Sequence, residues 1–485
     1  MGKYYVTTSI PYVNGPPHIG HALEFIYADV LARYARQQGN DVLFATGTDE
    51  HGNKIAETAK AQGKSAKDYT DEVSDRFREL TKSLAISNNR FIRTTDKAHE
   101  QRASEIWKKL KKDIYKDKYE GWYCVGDEAF FTETEVKANK GICPAHNRPY
   151  EKIVEENYFF KLSNYTEQIK KAISEDSFQI LPHTRRNEIL SLLDQGLEDI
   201  SISRPKEKND WGIPVPGDSD QVMYVWFDAL MNYITVLGYP EHDDFKQYWP
   251  ANAQVIGKDI LRFHAAIWPA ILLALDLPLP KLLYVHGFIT ADGKKMSKTL
   301  GNVIDPFEAI KPYGADAFRY YMLKHMPSYE DGDFSWERYE QAYNNELANE
   351  LGNLVQRILA MAARFLNGRV ENIPPSEHDI SQFTQAINEC RFDRALELAW
   401  EQVRGLNQYI DETKPWEVAK TGDTEHVNEI LAYLVSSIRE IADLILPFMP
   451  LSAEKIKEAF KDDKLTAATA PLFPKHESKL DEKDD

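Results

Sequence analysis

The sequence contains little cysteine and has no long apolar run. Three cysteines in 485 residues are too few for a disulfide scaffold and suit a reducing cytoplasm, where we expect the protein to act. The most apolar stretch, residues 271–279, is too short to span a bilayer, so we expect no membrane partner. The N-terminus has no signal or transit pattern and runs directly into a strand, which predicts that the chain is not exported.

Positive charge is also in deficit. Acidic residues outnumber basic ones by 76 to 59, for a formal net charge of −17. Phosphate binding needs positive charge, so this balance argues against an indiscriminate nucleic-acid coat, and we expect no DNA partner. A local basic strip on an acidic body still permits specific binding of a nucleic acid. The length predicts two to four domains.

The spacing of apolar residues predicts an α/β domain followed by a helical bundle. A strand over residues 3–10, a helix over about 18–36 and a strand over 41–45 form a βαβ unit, typical of a Rossmann-type parallel sheet. The composition changes over residues 119–158, which contain many aromatic residues, glycines and two cysteines. This change predicts a small insertion with its own fold. From about residue 337 the spacing is helical nearly to the end. Further buried strands are predicted at 254–257 and 282–286.

The first motif, Pro-Pro-His-Ile-Gly-His at residues 16–21, stands where the first strand meets its helix. Histidines at i and i+3 on a first turn share one face, and a helix N-terminus attracts phosphate through free backbone N–H groups and its dipole. Imidazoles there add donors for charge that develops on a transferring phosphoryl group. Gly20 leaves room for a flat group such as adenine against the backbone. Taken alone, His18 and His21 are more commonly capping or surface residues.

The second motif, Asp-Gly-Lys-Lys-Met-Ser-Lys-Thr-Leu-Gly-Asn, spans residues 292–302. Three lysines in a Gly-flanked loop predict a mobile cationic lid able to close over a polyphosphate, while a solvated basic loop is the alternative. The early His-Ile-Gly-His and the late Lys-Met-Ser-Lys together resemble the two signature motifs of class I aminoacyl-tRNA synthetases. At Thr299 the sequence departs from the second signature, where serine is usual, but the hydroxyl is kept.

Four further segments resemble the methionyl-tRNA synthetases of that class: residues 9–15, 46–52, 224–229 and 257–264. The resemblance implies that Asp49 takes the α-ammonium group of methionine. Sulfur packs favourably on aromatic rings, which agrees with an aromatic pocket; without the resemblance, Trp226 and Tyr233 fit an ordinary core. The implied pocket wall consists of Ile10, Tyr12, Trp226, Tyr233, Ile260 and His264. The implied ATP-binding residues are Gly20, Gly257, Asp259, Lys295 and Lys298. The implied catalytic residues, which contact the triphosphate in the transition state, are His18, His21, Lys295 and Lys298.

The resemblance covers nearly the whole chain and implies a two-step reaction. Methionine is activated by ATP with Mg²⁺ to methionyl-adenylate and pyrophosphate, and the methionyl group then passes to the 3′ end of initiator or elongator tRNA(Met). The chain ends without the extra tRNA-binding domain that some dimeric relatives append, so we expect a monomer. The implied domains are the two halves of a Rossmann-type catalytic domain (1–115 and 161–302, the second with the lysine loop), an inserted connective peptide (116–160), a stem-contact region (303–343), an α-helical anticodon-binding domain (344–470) and a flexible tail (471–485).

In the helical half, Asn349, Asn353 and Arg357 stand four residues apart and therefore share one helix face. Pro415 and Trp416 follow another helix at a turn. Amides and a guanidinium beside an exposed Trp suit the recognition of unstacked bases, and the resemblance implies that these five residues contact the anticodon. Interhelical hydrogen bonds and a core Trp are the alternative.

Two pairs with x₂ spacing in the insertion raise the question of zinc. Cys124 and Asp127 are separated by fifteen residues from Cys143 and His146. Zinc accepts sulfur, nitrogen and oxygen ligands in a tetrahedral set, so these four residues are a candidate site. Aspartate is an unusual ligand for structural zinc, however, and the segment around Asp127 also resembles the zinc-free branch of the family.

Three rival functions remain. A class I synthetase for cysteine, leucine, isoleucine or valine is disfavoured because the chain lacks catalytic zinc cysteines and is too short for a large editing insertion. A small-metabolite adenylyltransferase would not need a helical base-reading domain. A non-catalytic tRNA-binding paralogue is disfavoured because both phosphate motifs are intact.

Overall fold

The computed structural model describes residues 2–124, 129–131, 133–144, 147–296, 301–376, 378–467 and 470–475. The chain divides into two compact units. The first, here called the sheet unit, comprises Met1–Pro17, Asp41–Glu79 and Asn88–Val285. The second, the helical unit, comprises His18–Asn40, Leu80–Ser87 and His286–Asp485. Among the helices described, none is both long enough and apolar enough to cross a membrane.

The described strands are short outside the insertion. In chain order they are Lys3–Thr8 (β1), Asp41–Thr48 (β2), Arg90–Arg93 (β3), Ile114–Cys124 (β4), Ala129–Phe131 (β5), Ile142–Cys143 (β6), Arg148–Pro149 (β7), Glu151–Phe160 (β8), Gln179–Leu181 (β9), Ile200–Ser201 (β10), Ser203–Pro205 (β11), Pro214–Val215 (β12), Asp218–Met223 (β13), Ala253–Gly257 (β14), Leu282–His286 (β15), Ile289–Ala291 (β16), Lys294–Lys295 (β17) and Gly332–Phe334 (β18).

The α-helices occur in both halves of the chain. They are Ile19–Gln37 (α1), Asn53–Ala61 (α2), Ala66–Ser83 (α3), Lys97–Lys109 (α4), Glu133–Ala138 (α5), Thr166–Ser174 (α6), His183–Asp194 (α7), Val225–Leu230 (α8), Asn232–Thr235 (α9), Asp243–Tyr248 (α10), Trp268–Ala274 (α11), Pro306–Tyr313 (α12), Ala315–Lys324 (α13), Trp336–Ala342 (α14), Asn353–Phe365 (α15), Ser381–Asn388 (α16), Phe392–Thr413 (α17), Pro415–Lys420 (α18), Thr424–Ile445 (α19) and Pro450–Ala459 (α20). Single 3₁₀ turns occupy Leu110–Asp113, Leu162–Tyr165 and Lys258–Ile260, and π-helical segments occupy Phe263–Ile267 and Tyr343–Gly352.

The sheet unit is built on a six-stranded sheet in the order β3-β2-β1-β14-β15-β9. The pairings of β1 with β2 and β14, of β2 with β3 and of β15 with β9 are parallel, which confirms the predicted Rossmann-type α/β fold. Parallel strands are buried on both faces, and β1 and β2 are almost wholly buried here. A second, four-stranded sheet in the order β10-β8-β4-β5 contains the long antiparallel pair β4–β8.

Strand β2 runs three residues beyond the predicted end at residue 45. The extension is polar but buried, because Thr46 Oγ1 lies 2.7 Å from Thr8 Oγ1 and Thr48 donates to Glu50 Oε1 at 2.7 Å. A Cβ at Gly47 would lie 2.1 Å from the carbonyl oxygen of Ile92 on β3, so only glycine permits this strand pairing. Thr-Gly-Thr therefore continues a buried strand beyond its predicted end.

The helical unit is organised around a fully buried arginine on α13. Arg319 forms an ion pair with Asp29 of α1 at 2.7 Å, and neither side chain is exposed. Its remaining N–H groups donate to the carbonyl oxygens of Pro447, Phe448 and Leu84 at 2.8, 2.7 and 3.2 Å. One guanidinium thus joins α1, the turn after α3, α13 and the turn before α20.

Candidate active site

The centre of the six-stranded sheet is a topological switch point. The chain passes from β1 to β2 on one side, while β14 pairs with β1 on the other. In open α/β sheets, ligands bind in the crevice at the carboxyl ends of such strands. The backbone N–H of Ser9 donates to the carbonyl of Val255 at 2.9 Å, so the register of β1 and β14 brings Ile10 opposite Gly257. Gly257 is buried, and Asp259 is exposed on the 3₁₀ turn that follows it.

Asp49 and Tyr12, two predicted pocket residues, are brought together by the backbone. The N–H of Asp49 donates to the carbonyl of Pro11 at 2.8 Å, and the carbonyl of Asp49 accepts from Val13 at 3.0 Å. The two residues form an isolated parallel bridge just past the end of β2. Asp49 is only 5% exposed, so its carboxylate is held at a desolvated position where one opposite charge binds strongly.

Tyr233 and His264 form a buried hydrogen-bonded pair. His264 Nδ1 lies 3.0 Å from the carbonyl oxygen of Ile260, which accepts only, so this nitrogen carries the hydrogen of the neutral ring. His264 Nε2 is then the acceptor for the Tyr233 hydroxyl, 2.6 Å away. The two residues are 1% and 2% exposed. The tyrosine hydroxyl therefore has a defined direction.

Trp226 presents a second aromatic surface. Its ring stacks on Phe263 with centroids 3.9 Å apart and planes 14° from parallel. Four half-buried side chains of this region pack against the core of the sheet unit: Tyr12, Trp226, Ile260 and Phe263. Three of these were predicted as pocket wall. Phe263 was not, although it lies within the segment whose resemblance was recognised; the π-helical segment that begins at this residue sets its ring against Trp226.

His18 and His21 do share one face of α1, as predicted, and they cap the helix. The Gly20 N–H donates to His18 Nδ1 at 3.1 Å, and the His18 N–H donates to His21 Nδ1 at 3.2 Å. The rings stack with centroids 3.8 Å apart. A Cβ at Gly20 would lie 2.9 Å from the His18 ring, which gives this glycine a role in the cap; its proposed proximity to adenine stays a prediction.

Free backbone N–H groups in the first turn of α1 were expected to attract phosphate. This expectation is wrong for the first two residues of the helix, whose N–H groups already donate within the protein. The N–H of Ile19 donates to the carbonyl of Ile304 at 3.3 Å, and the N–H of Gly20 is taken by His18. Because Nδ1 of each histidine accepts, the hydrogen of each neutral ring lies on Nε2. Burial, together with His18 and His286, holds the pKa of His21 well below its ordinary value. His21 is therefore a neutral Nε2–H donor.

The lysine motif begins in a β-hairpin of the helical unit, where a loop was predicted. Strands β16 and β17 pair antiparallel through Asp292 and Gly293, both with positive φ, as a type I′ turn requires. Asp333 Oδ1 accepts from the Gly293 N–H at 2.7 Å and fixes the turn. Lys295 is exposed on β17, whereas Lys298 lies outside the described residues.

The predicted base-reading residues lie on three helical segments of the helical unit. Asn349, in the π-helical segment, and Asn353, at the start of α15, are both exposed. Arg357 forms an ion pair with Asp411 of α17 at 2.5 Å. Helix α18 packs against α15 and begins with buried Pro415 and half-buried Trp416. The two amides are thus available to a ligand.

Two of the four candidate zinc ligands, Asp127 and His146, lie outside the described residues. Cys124 and Cys143 are 0% and 1% exposed and belong to a small apolar cluster with Val136 and Tyr150. Within the part of the chain that the structure describes, no group of three or more His, Cys, Asp or Glu side chains is arranged to hold a metal ion. The described residues therefore provide at most two ligands and account for both cysteines as core.

Comparison with known proteins agrees with this geometry. A family model described as tRNA synthetases class I (M) matches residues 4–153 and 146–359, and one described as the anticodon-binding domain of tRNA ligase matches residues 377–485. The methionine–tRNA ligase of Thermotoga maritima is 42% identical over 471 residues, covering 94% of this chain and 74% of that protein. The corresponding protein of Brucella suis is 44% identical over 470 residues, covering 94% and 91%.

The fold likeness extends over both units. The structure of Mycobacterium tuberculosis methionyl-tRNA synthetase in complex with methionyl-adenylate matches with a TM-score of 0.91 at 38% identity, covering 98% of this chain and 100% of that one. Its apo form matches with a TM-score of 0.85 at 35% identity. The chain therefore belongs to the methionyl-tRNA synthetase family of class I tRNA synthetases.

Proposed function

We propose that the protein is a methionine–tRNA ligase that works in two steps. A carboxylate oxygen of methionine attacks the α-phosphorus of ATP in line, and the bond from that phosphorus to the bridging oxygen breaks to release pyrophosphate. The terminal ribose hydroxyl of tRNA(Met) then attacks the methionyl carbonyl and releases AMP. The first step requires little covalent chemistry from the protein. The role of the protein is to position the reactants and to neutralise charge.

Methionine recognition is supported above all by the Tyr233–His264 pair. The hydrogen bond at 2.6 Å fixes the tyrosine hydroxyl, so its oxygen is one defined polar point beside the thioether. The half-buried side chains of Tyr12, Trp226 and Ile260, with Ile10, supply apolar and aromatic surface on which a polarizable sulfur packs well. Asp49 supplies the negative charge for the α-ammonium group.

ATP recognition is assigned to the two motifs. His18 and His21 offer Nε2–H donors to the phosphates, and Lys295 and Lys298 offer positive charge, with Mg²⁺ brought by the nucleotide on its phosphate oxygens. Asp259 is exposed on its turn and would accept from the ribose hydroxyls, while Gly20 and Gly257 allow close approach.

Amino-acid-dependent ATP–pyrophosphate exchange, run with each of the twenty amino acids and no tRNA, tests the proposal. We expect exchange with methionine alone. Exchange with another amino acid would keep the class and overturn the pocket assignment. A folded preparation that binds ATP and exchanges with none would contradict the proposed activity. Charging of tRNA(Met) transcripts tests the second step. Size-exclusion chromatography with light scattering tests the expected monomer.

Removing the charge at Asp49 should weaken methionine binding. Asp49→Asn keeps the backbone bridge to Tyr12 but loses a charge-assisted contact worth about 1.5–3 kcal/mol, so we expect the KM for methionine to rise by about 10- to 100-fold. The KM for ATP should change by less than about threefold. Exchange kinetics at varied methionine and ATP measure both, and an equal rise in the two KM values would contradict the assignment.

Tyr233→Phe should have a smaller effect on the same step. It removes the hydroxyl that is proposed to contact the thioether, and one hydrogen bond is worth about 0.5–1.5 kcal/mol, so the KM for methionine should rise by up to about tenfold. Tyr5→Phe is the matched control: it also removes a buried hydroxyl, one that donates to the Tyr233 carbonyl at 2.8 Å, and should leave this KM within about twofold. Equal changes in the two variants would show that the hydroxyl of Tyr233 has no special role.

For tRNA, we propose that the anticodon is contacted by five residues: Asn349, Asn353, Arg357, Pro415 and Trp416. Trp416→Ala should reduce kcat/KM for charging of tRNA(Met) by about 10- to 100-fold, since stacking on one base is worth about 1–3 kcal/mol. Methionine-dependent pyrophosphate exchange should be unchanged in this variant. Loss of both activities together would indicate a structural role for the indole. The matched control, Tyr433→Ala, removes another partly exposed aromatic side chain of the helical unit, one outside the stem-contact region and the five proposed anticodon contacts.

A further inference from the structure

In the sheet unit a buried carboxylate joins two buried histidines. Asp228 on α8 accepts at Oδ2 from His51 Nδ1 at 2.6 Å and at Oδ1 from His99 Nε2 at 2.7 Å. His99 Nδ1 lies 2.7 Å from Thr235 Oγ1, so the bonds run His51–Asp228–His99–Thr235. No more than 4% of any of these four residues is exposed. The four come from segments separated by up to 184 positions, so no local sequence pattern indicated that they lie together.

The core of this network is an ion pair rather than a set of neutral contacts. Burial disfavours charge on both groups, yet the attraction and hydrogen bond between them raise the pKa of His51 and lower that of Asp228. Glu100 adds a second carboxylate 3.7 Å from His51 Nε2, and the Trp211 ring packs edge-on against the imidazole. Trp211 Nε1 also donates to the carbonyl of Glu50 at 2.5 Å. The segment that contains His51 is therefore fixed by contacts from Asp228, Glu100 and Trp211.

Three members of the network lie two positions along the chain from a proposed methionine contact. His51 follows Asp49, Asp228 follows Trp226, and Thr235 follows Tyr233. A shift of the His51–Asp228 bond would therefore move the carboxylate that takes the ammonium group relative to the aromatic wall. The His99–Thr235 bond ties the end of α9, which carries Tyr233, to the same point.

We propose that four residues form a positioning network: Asp228, His51, His99 and Thr235. This network sets the distance between the part of the pocket that binds the ammonium group and the part that binds the side chain. The enzyme thereby selects amino acids by the length of their side chains. The inference rests on the proposed function. These residues act through Asp49, Trp226 and Tyr233 and are positioning residues. Their loss should change the KM and the length discrimination more than it changes kcat.

Asp228→Asn tests the network in the full-length enzyme. The amide still accepts from one imidazole but turns an N–H toward the other, so one bond is replaced by opposed donors. We expect the KM for methionine in pyrophosphate exchange to rise by about 10- to 100-fold, with kcat changed by less than about threefold. One methylene is commonly worth about 10- to 200-fold in discrimination, and most of the preference for methionine over ethionine should be lost.

Two matched pairs separate positioning from loss of fold. Thr235→Val removes the hydroxyl and should raise the KM, whereas Thr235→Ser keeps it and should restore the wild-type value. Glu346→Gln removes a carboxylate that pairs with His325 at 3.1 Å in the helical unit and should leave KM and length preference unchanged. An unchanged KM in folded Asp228→Asn, an equal loss of kcat/KM for methionine and ethionine, or equal effects of the two Thr235 variants would overturn the network alone. Wild-type enzyme without methionine-dependent exchange would instead overturn the proposed function and this inference with it.

Discussion

His21→Ala should slow methionyl-adenylate formation by about two to three orders of magnitude, the typical cost of removing one preorganised donor from a developing negative charge. The structure makes His21 such a donor. Its Nδ1 accepts from the His18 N–H at 3.2 Å, and its lowered pKa keeps the ring neutral, so Nε2–H is the hydrogen that it offers. The KM for methionine should stay within about threefold of wild type. Single-turnover adenylate formation measures the rate directly.

The control must allow for the capping role of His21. Asp423→Ala removes another side-chain N-cap in the helical unit, one that accepts from the His426 N–H at 3.0 Å, and should cost about 1 kcal/mol of stability without slowing adenylate formation. Because His21 gains a proton only well below pH 6.5, its protonation should not reduce the wild-type rate between pH 8 and 6.5. A comparable rate loss in both cap variants would assign the effect of His21→Ala to helix stability.

Arg319→Met should destabilise the helical unit by about 3–5 kcal/mol, because it leaves the Asp29 carboxylate buried without its main partner. Burial alone would raise the pKa of Asp29, but Arg319 and Arg33, with hydrogen bonds from Ser87, hold it below its usual value. The carboxylate is therefore charged at neutral pH. Its contribution to stability is present above the unfolded pKa of about 4 and is lost as the pH falls through the lower folded pKa. Urea unfolding followed by far-ultraviolet circular dichroism measures the change.

A double variant distinguishes the buried charge from lost packing. Asp29→Asn combined with Arg319→Met removes both charges, and we expect it to recover part of the stability lost in Arg319→Met, since a buried pair is often replaceable by neutral groups. Lys457→Ala breaks an exposed pair with Asp443 at 2.7 Å and should cost less than about 1 kcal/mol. If Arg319→Met cost no more than Lys457→Ala, the buried ion pair would not be the centre of the helical unit.

Much of the local structure follows from the sequence. The strand predicted at 282–286 has those bounds, and the predicted helix at 18–36 is observed as Ile19–Gln37. These segments are set by short-range periodicity and by capping residues, which local sequence records. The predicted end of β2 was wrong because burial extends the strand through Thr46–Thr48, and Phe263 was not predicted because a π-helical segment places its ring against Trp226. The predicted domain boundaries stay predictions.

The sequence by itself determined the family, the reaction class and the residues proposed to contact methionine, because these rest on short motifs that are recognisable in a linear sequence. Only the tertiary structure decided where the protons lie and what holds those residues in place. His18, His21 and His264 owe their tautomers to acceptors and donors that Nδ1 meets in the fold. Asp228 owes its charge to His51 and His99, which lie 177 and 129 positions away. Hydrogen-bond partners depend on distances in space, and a linear pattern carries no information about those.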